Sequence, residues 1–301
     1  MKETQGKIMK TFVMKGTLIL LAVAVCLCAA SVNGNAAEKK ASLTKVWESK
    51  KEFLVPESVL YNKADKTLYI SNINGNPTEK NGKGFISKLS LEGKILKLKW
   101  AEGLNAPKGS AIYKNSFFVS DIDRLVEIDM GTGKIKTTYP AEGALFLNDV
   151  AVDDKGNVYV TEMDEKNSAI YKLVGGKLDI WVKGPEIKSP NGLYMEEKKL
   201  MVGNSGDGKI KAIRLSDKTI TDFVKVGDTG IDGLRSDGKG NYIVSDWAGK
   251  TTLVLATGET RILLDTTSLK VNSADIEYIP EKKLLLIPTF FDNRVVAYKV
   301  Q

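Results

Sequence analysis

The sequence predicts an all-β chain, a six-bladed β-propeller closed by an N-terminal strand, on three observations: a repeated phrase, its turn chemistry and an unpaired strand at each end. From Val55 onward a lead residue is followed by two short apolar strands with a turn between them. The second strand ends in Ser, Thr, Asn, Asp or Glu. The copies read PESVLYNKADKTLYISN, PKGSAIYKNSFFVSD, LNDVAVDDKGNVYVTE, PNGLYMEEKKLMVGN, IDGLRSDGKGNYIVSD and SADIEYIPEKKLLLIPT. Aligned on their lead residues they give Glu57, Lys108, Asn148, Asn191, Asp232 and Ala274, at spacings of 51, 40, 43, 41 and 42 residues. A period of about 40–45 residues with several strands per unit is that of a propeller blade. The long first spacing contains a Gly- and Asn-rich stretch at 72–84, NINGNPTEKNGKG.

Turn signals such as DDKG (153–156), SDGKGN (236–241), VGGK (174–177) and MGTGK (130–134) separate the strands, and no segment after the first 36 residues sustains a helical period. A parallel β-helix, the rival repeat, has shorter rungs and lacks this four-strand punctuation. The last unit stops at its third strand, Val295–Val300, while SLTKVWE (42–48) precedes the first unit without a partner. Pairing the two completes the last blade and removes an open sheet edge.

Residues 1–36 predict a secretory signal peptide, leaving 37–301 as the propeller domain. Lys2, Lys7, Lys10 and Lys15 form a basic lead-in, Gly16 to Ala30 is uncharged, and small residues follow at Gly34, Ala36 and Ala37. The apolar run is short for a membrane span, so cleavage leaves no span and an exported protein, periplasmic or secreted. Cys26 and Cys28 lie inside this run. A lipoprotein is the second reading, but Val25 and Leu27 precede the cysteines where a small residue is usual. Without the signal the net charge falls from +7 to +4, and the lysines are scattered over turns. Such a surface excludes a nucleic-acid footprint.

In a propeller the six lead residues point to the mouth of the central channel. Glu57, Asn148, Asn191 and Asp232 offer oxygen there, two of them as carboxylates, with no His or Cys. That set suits a divalent cation, calcium first, with magnesium and manganese as alternatives. Asn and Asp before Gly, at Asn191 and Asp232, are also common turn residues that bond their own backbone.

With PES at 56–58, LNDVAVD at 147–153, SPNGL at 189–193 and GIDGL at 230–234, the sequence resembles the regucalcin-like (senescence-marker protein and gluconolactonase) propellers over about residues 43–300. The resemblance implies one divalent cation, calcium or zinc, on Glu57, Asn191 and Asp232, with Asn148 beside it holding substrate. It also implies hydrolysis of a sugar-acid lactone or related ester, with Asp232 as base. Ser58-Val59 stand where family lactonases usually have Gly-Pro, and Phe146 where sugar-lactone members often carry Arg. The metal site therefore carries over better than the sugar specificity. The serum paraoxonases share the architecture but rely on histidines, and this chain has none.

The expected function is metal-dependent hydrolysis of a small lactone or ester by a monomer. The alternative is a non-catalytic exported propeller that binds a peptide or glycan. A cation lowers the pKa of a carboxylate that holds it, so Asp149 or Glu162 are substitute bases, though Asp149 reads more readily as a structural turn residue. Lys108 either pairs with an anionic substrate or is an ordinary exposed lysine. Loops after the second strands are expected to bring Asn72, Asp121, Glu162, Asn204, Trp247 and Phe290-Phe291 to the mouth. Trp247 is there either a substrate wall or packed between blades.

Overall fold

A computed structural model describes residues 41–228 and 230–301. The expected signal peptide, with Cys26 and Cys28, lies outside the described residues. Strand β1 (Leu43–Glu48) is followed by β2 (Pro56–Asn62), β3 (Thr67–Asn72), β4 (Gly84–Ser90) and β5 (Ile95–Leu104), which form the first blade. The second has β6 (Pro107–Tyr113), β7 (Ser116–Asp121), β8 (Arg124–Asp129) and β9 (Ile135–Pro140). The third has β10 (Leu147–Val152), β11 (Val158–Glu162), β12 (Ala169–Val174) and β13 (Lys177–Val182). In the fourth come β14 (Pro190–Met195), β15 (Lys199–Asn204), β16 (Lys209–Arg214) and β17 (Ile220–Lys225). The fifth holds β18 (Ile231–Ser236), β19 (Tyr242–Asp246), β20 (Lys250–Val254) and β21 (Thr260–Asp265). The sixth is made of β22 (Glu277–Ile279), β23 (Leu284–Pro288), β24 (Val295–Val300) and β1, in the order β22-β23-β24-β1.

The closure expected from residues 42–48 is therefore present. β1 pairs antiparallel with β24, from Leu43 opposite Val300 to Glu48 opposite Val296. Trp47 donates its indole N–H to the Leu91 carbonyl at 2.8 Å, and Arg294 meets Glu48 at 2.8 Å.

Every residue of β18 is buried, whereas β9 on the outside of its blade is mostly exposed. The core lies between blades rather than at one centre. Phe118 and Leu125 of the second blade pack with Val158 and Tyr171 of the third, and Leu68 and Ile70 of the first with Leu286 and Ala297 of the sixth. Two of the predicted turns form as Asx turns: Asp153 accepts the Lys155 N–H at 3.0 Å, and Asp237 the Lys239 N–H at 2.7 Å.

Candidate active site

The six inner strands are β2, β6, β10, β14, β18 and β22. In the first five, pairing with the second strand breaks register across the lead residue: Pro56/Ser58, Pro107/Ser110, Leu147/Val150, Pro190/Leu193 and Ile231/Leu234. A bulge bends the strand and re-aims the side chain at that point, here into a shared cavity. In the third and fifth blades a hydroxyl one residue from the end of the second strand fixes it. Thr161 accepts the Asp149 N–H at 2.8 Å. Ser245 accepts the Gly233 N–H at 2.7 Å and donates to the Ala274 carbonyl at 2.7 Å. Gly192 and Gly233 follow two of the lead residues because neighbouring inner strands pass too close for a side chain. A Cβ at Gly233 would stand 2.5 Å from the Ile276 nitrogen, and one at Gly192 would overlap the Asp232 carbonyl.

The cavity at the channel mouth has a volume of about 600 Å³, and Glu57, Lys108, Asn148, Asn191 and Asp232 all line it. None of the five is more than 4% exposed. Glu57 Oε2, Asn148 Oδ1 and Asn191 Oδ1 are buried without a hydrogen-bond partner. The amide nitrogens are turned elsewhere: Asn191 donates to Asp232 Oδ1 at 3.0 Å, and Asn148 faces Met163 Sδ at 3.3 Å. Buried oxygens left unpaired in this way are costly unless something electropositive meets them. Two carboxylates and two amide oxygens fit a hard dication in donor type and in charge. Among the described residues no three His, Cys, Asp or Glu side chains cluster as a metal site, since half of these donors are amides.

The electrostatics agree. Burial pushes Glu57 well above the carboxylate range, with repulsion from Asp232 and Asp275 adding to it. Asp232 is pushed up to about 8 by burial and by the charge of Asp149, against the Asn191 hydrogen bond. In the absence of a cation both carboxyls tend to keep a proton, and a positive charge among them reverses that tendency.

Lys108 is not an exposed lysine. It is 1% exposed, and its Nζ donates to the Pro77 carbonyl at 2.9 Å and the Ala106 carbonyl at 3.1 Å. The ammonium stands 4.7 Å from the Phe146 ring centre, and burial lowers its pKa to about 8, with Glu57 opposing. Pro77 comes from the Gly- and Asn-rich insertion of the first blade, which thus supplies part of the wall.

Asn72, Asp121, Glu162 and Asn204 do not reach the cavity. Each is spent holding the loop that leads into its own blade's inner strand. Asn72 accepts the Leu54 N–H at 3.1 Å, Asp121 the Ala106 N–H at 2.7 Å and Glu162 the Leu145 N–H at 3.0 Å, while Asn204 donates to the Glu186 carbonyl at 2.8 Å. Glu162 is thereby withdrawn as a substitute base. Asp149 is withdrawn too: it is fully buried, accepts the Leu193 N–H at 2.6 Å and lies 3.7 Å from Arg235. Arg235 is itself buried and also meets Asp275 at 3.3 Å and Glu277 at 3.7 Å, so a charge cluster fills the channel next to the ring.

Trp247, Phe290 and Phe291 do line the cavity. Trp247 of the fifth blade is 43% exposed and meets Phe290 and Phe291 of the sixth edge-on, so it lines the mouth while packing across the junction of two blades. Met163 and Asp246 also line it without having been singled out. Each stands within one residue of a second strand's polar end, a register that marks the mouth but not which side chains face it.

Residues 55–269 match the SMP-30/gluconolactonase/LRE-like region. Among curated proteins none matches the chain. Similar solved structures include the calcium-binding protein regucalcin from Agrobacterium tumefaciens, 15% identical, covering 85% of this chain and 94% of that one with a TM-score of 0.64. A catalytically inactive histidine-to-alanine virginiamycin B lyase from Staphylococcus aureus, with quinupristin, is 13% identical, covering 87% of this chain and 100% of that one with a TM-score of 0.61. A chain of a nidogen/laminin complex is 18% identical, covering 70% of this chain and 80% of that one with a TM-score of 0.58. At these identities the likeness is one of fold.

Proposed function

The chain belongs to the SMP-30/gluconolactonase/LRE-like family, and on that premise we propose that it is a divalent-cation-dependent hydrolase of a small lactone or ester. One observation carries the proposal: three unpartnered buried oxygens, from Glu57, Asn148 and Asn191, share one cavity with the carboxyl of Asp232. These four side chains would hold the cation. Calcium is favoured by the all-oxygen donor set and by the regucalcin likeness. When bound, the cation supplies positive charge against which an acyl carbonyl is polarised.

The rest of the chemistry falls to the chain's own residues. Asp232 takes the proton of the water that attacks the acyl carbon, and gives one to the departing alkoxide as the ring or ester opens. Asn191, donating to Asp232 Oδ1, fixes which oxygen is free to do this. Asn148 flanks the acyl group, and Lys108 adds positive charge from the same wall. The aromatic mouth limits the water that reaches the carboxyl. A histidine-dependent route, which the inactivated lyase suggests for that protein, is closed to a chain without histidine.

The test is a panel of lactones and esters assayed with and without chelator, using wild type and Asp232→Ala at saturating calcium. Cation-dependent turnover, lowered at least about 10²–10⁴-fold in the variant, is expected for a lost base. No turnover of any substrate, or equal turnover by the variant, overturns the proposal and leaves an exported propeller that binds a peptide or glycan.

A further inference from the structure

The oxygen floor is only part of the cavity lining. Trp247, Phe290 and Phe291 also line it, with Ile73, Met163 and Ile231 adding apolar surface. The three rings form a mutual cluster, with centres 5.5 Å apart for Trp247–Phe290, 6.0 Å for Trp247–Phe291 and 4.8 Å for Phe290–Phe291. Phe290 is buried, but Trp247 is 43% and Phe291 63% exposed, so two large apolar faces meet water at the rim of one cavity. Phe290 holds a left-handed backbone, φ 49°, within a short helical turn at Phe290–Asp292. Lys51 and Arg294 both pair with Asp292 and anchor that turn. A non-glycine residue in that conformation is strained, and such strain is retained where the surroundings impose it, commonly at ligand sites.

Beyond the lead residues, the polar side-chain groups among the lining residues are Ser205, Asp246 and the Trp247 indole, and one oxygen of Asp246 already accepts the Ala248 N–H at 2.8 Å. A polyhydroxylated ring laid over the aromatic faces would find few protein partners for its hydroxyls and would leave them to water. A hydrocarbon portion would instead cover the exposed rings.

We infer that the substrate is amphiphilic: a lactone or ester whose carbonyl lies on the oxygen floor and whose alkyl or aryl portion packs on Trp247, Phe290 and Phe291. The carbonyl end rests on the hydrolase proposal; the apolar end rests on the wall alone. Trp247 and Phe291 are accordingly specificity-determining residues.

The experiment has two arms on the calcium-loaded protein. In the first, hydrolysis-resistant γ-lactams with unbranched side chains from methyl to hexyl, and a gluconolactam, are titrated by tryptophan fluorescence and calorimetry. Affinity is expected to rise about three- to fourfold per methylene, as apolar burial predicts. Trp247→Ala and Phe291→Ala, the second at an exposed position that leaves folding intact, should each flatten that gradient. In the second arm kcat/KM is measured for the matching γ-lactones and for gluconolactone, and should climb along the alkyl series. Gluconolactam binding more tightly than the alkyl lactams, or a gradient that is absent or unchanged in both variants, overturns the inference. If no lactone is hydrolysed but the lactam gradient appears and the variants flatten it, the apolar site stands and the hydrolase proposal falls. Hydrolysis of gluconolactone with a flat alkyl series does the reverse.

Discussion

Replacing Arg235 with Met tests how the channel holds its charges. The guanidinium is buried and lies 3.3 Å from Asp275, 3.7 Å from Asp149 and 3.7 Å from Glu277, while donating to the Leu234 carbonyl at 2.8 Å and the Leu193 carbonyl at 3.3 Å. Burial works against its charge, but Asp275, Asp149 and Glu277 together hold its pKa above the usual arginine value. Met fills much of the same volume but leaves three buried carboxyls without their counter-charge and two carbonyls without this donor. Breaking a buried ion pair from one side costs about 3–5 kcal/mol. For a domain of this size each kcal/mol lowers Tm by about 2–4 °C, so the melting point should fall by roughly 10 °C.

The deficit should also depend on pH. Burial raises the pKa of Asp149, Asp275 and Glu277 even with Arg235 present, and without it they rise further. A carboxyl whose folded pKa is raised keeps its proton on folding, so its contribution is favourable at low pH and is lost as pH rises through the folded value. Urea melts at pH 5 and pH 8 should therefore show a smaller deficit at pH 5. A variant within about 1 kcal/mol of wild type at pH 8, or a deficit that ignores pH, would refute the reasoning, because the lower bound for such a pair is about 3 kcal/mol.

Three further outcomes are expected. With chelator present, Asp232 at about 8 keeps a proton that the unfolded chain releases near pH 4, so stability should fall between those values by about 1.4 kcal/mol per pH unit from this group. Asp232→Asn should remove that share of the slope in urea melts, and an unchanged slope counts against a proton on Asp232. Deleting residues 42–48 should lower the melting transition sharply, since it strips β24 of its partner and opens an edge in the sixth blade; an unaltered melt contradicts closure by β1. We propose that residues 1–36 direct export and are removed; intact mass of protein recovered from the periplasm or medium should then show a chain beginning near Ala37, and retention of Cys26 or Cys28 rules out simple cleavage.

The repeat was legible because each blade spells the same inner hairpin, and the period of its lead residues places Glu57, Asn148, Asn191 and Asp232 at one level. The bulges that turn them inward were not legible, since a register break leaves no mark in apolar alternation. Residues at the ends of the second strands were harder still. Asp121 and Glu162 share a register with Asp246, yet the first two are consumed by loop N–H groups while Asp246 lines the cavity. Only the length and path of each loop decides that. Lys108 looked like any of the chain's many surface lysines, and one of the two carbonyls that hold it, that of Pro77, lies 31 residues away. Arg235 was hidden for a related reason: every residue of its strand is buried, so the pattern does not reveal which ones face the channel.

The central claim is that buried oxygens at the channel mouth bind a hard dication. Calorimetric titration of the chelator-treated, full propeller with calcium at pH 8 tests it most directly, alongside Glu57→Gln, Asp232→Asn and the turn variant Asp154→Asn. One site per chain is expected in wild type and in Asp154→Asn. Each of the other two variants, having lost one of two anionic donors, should bind at least about tenfold more weakly, the effect of roughly 1.4 kcal/mol. No binding by wild type at millimolar calcium, or equal affinity in all four proteins, would contradict the account.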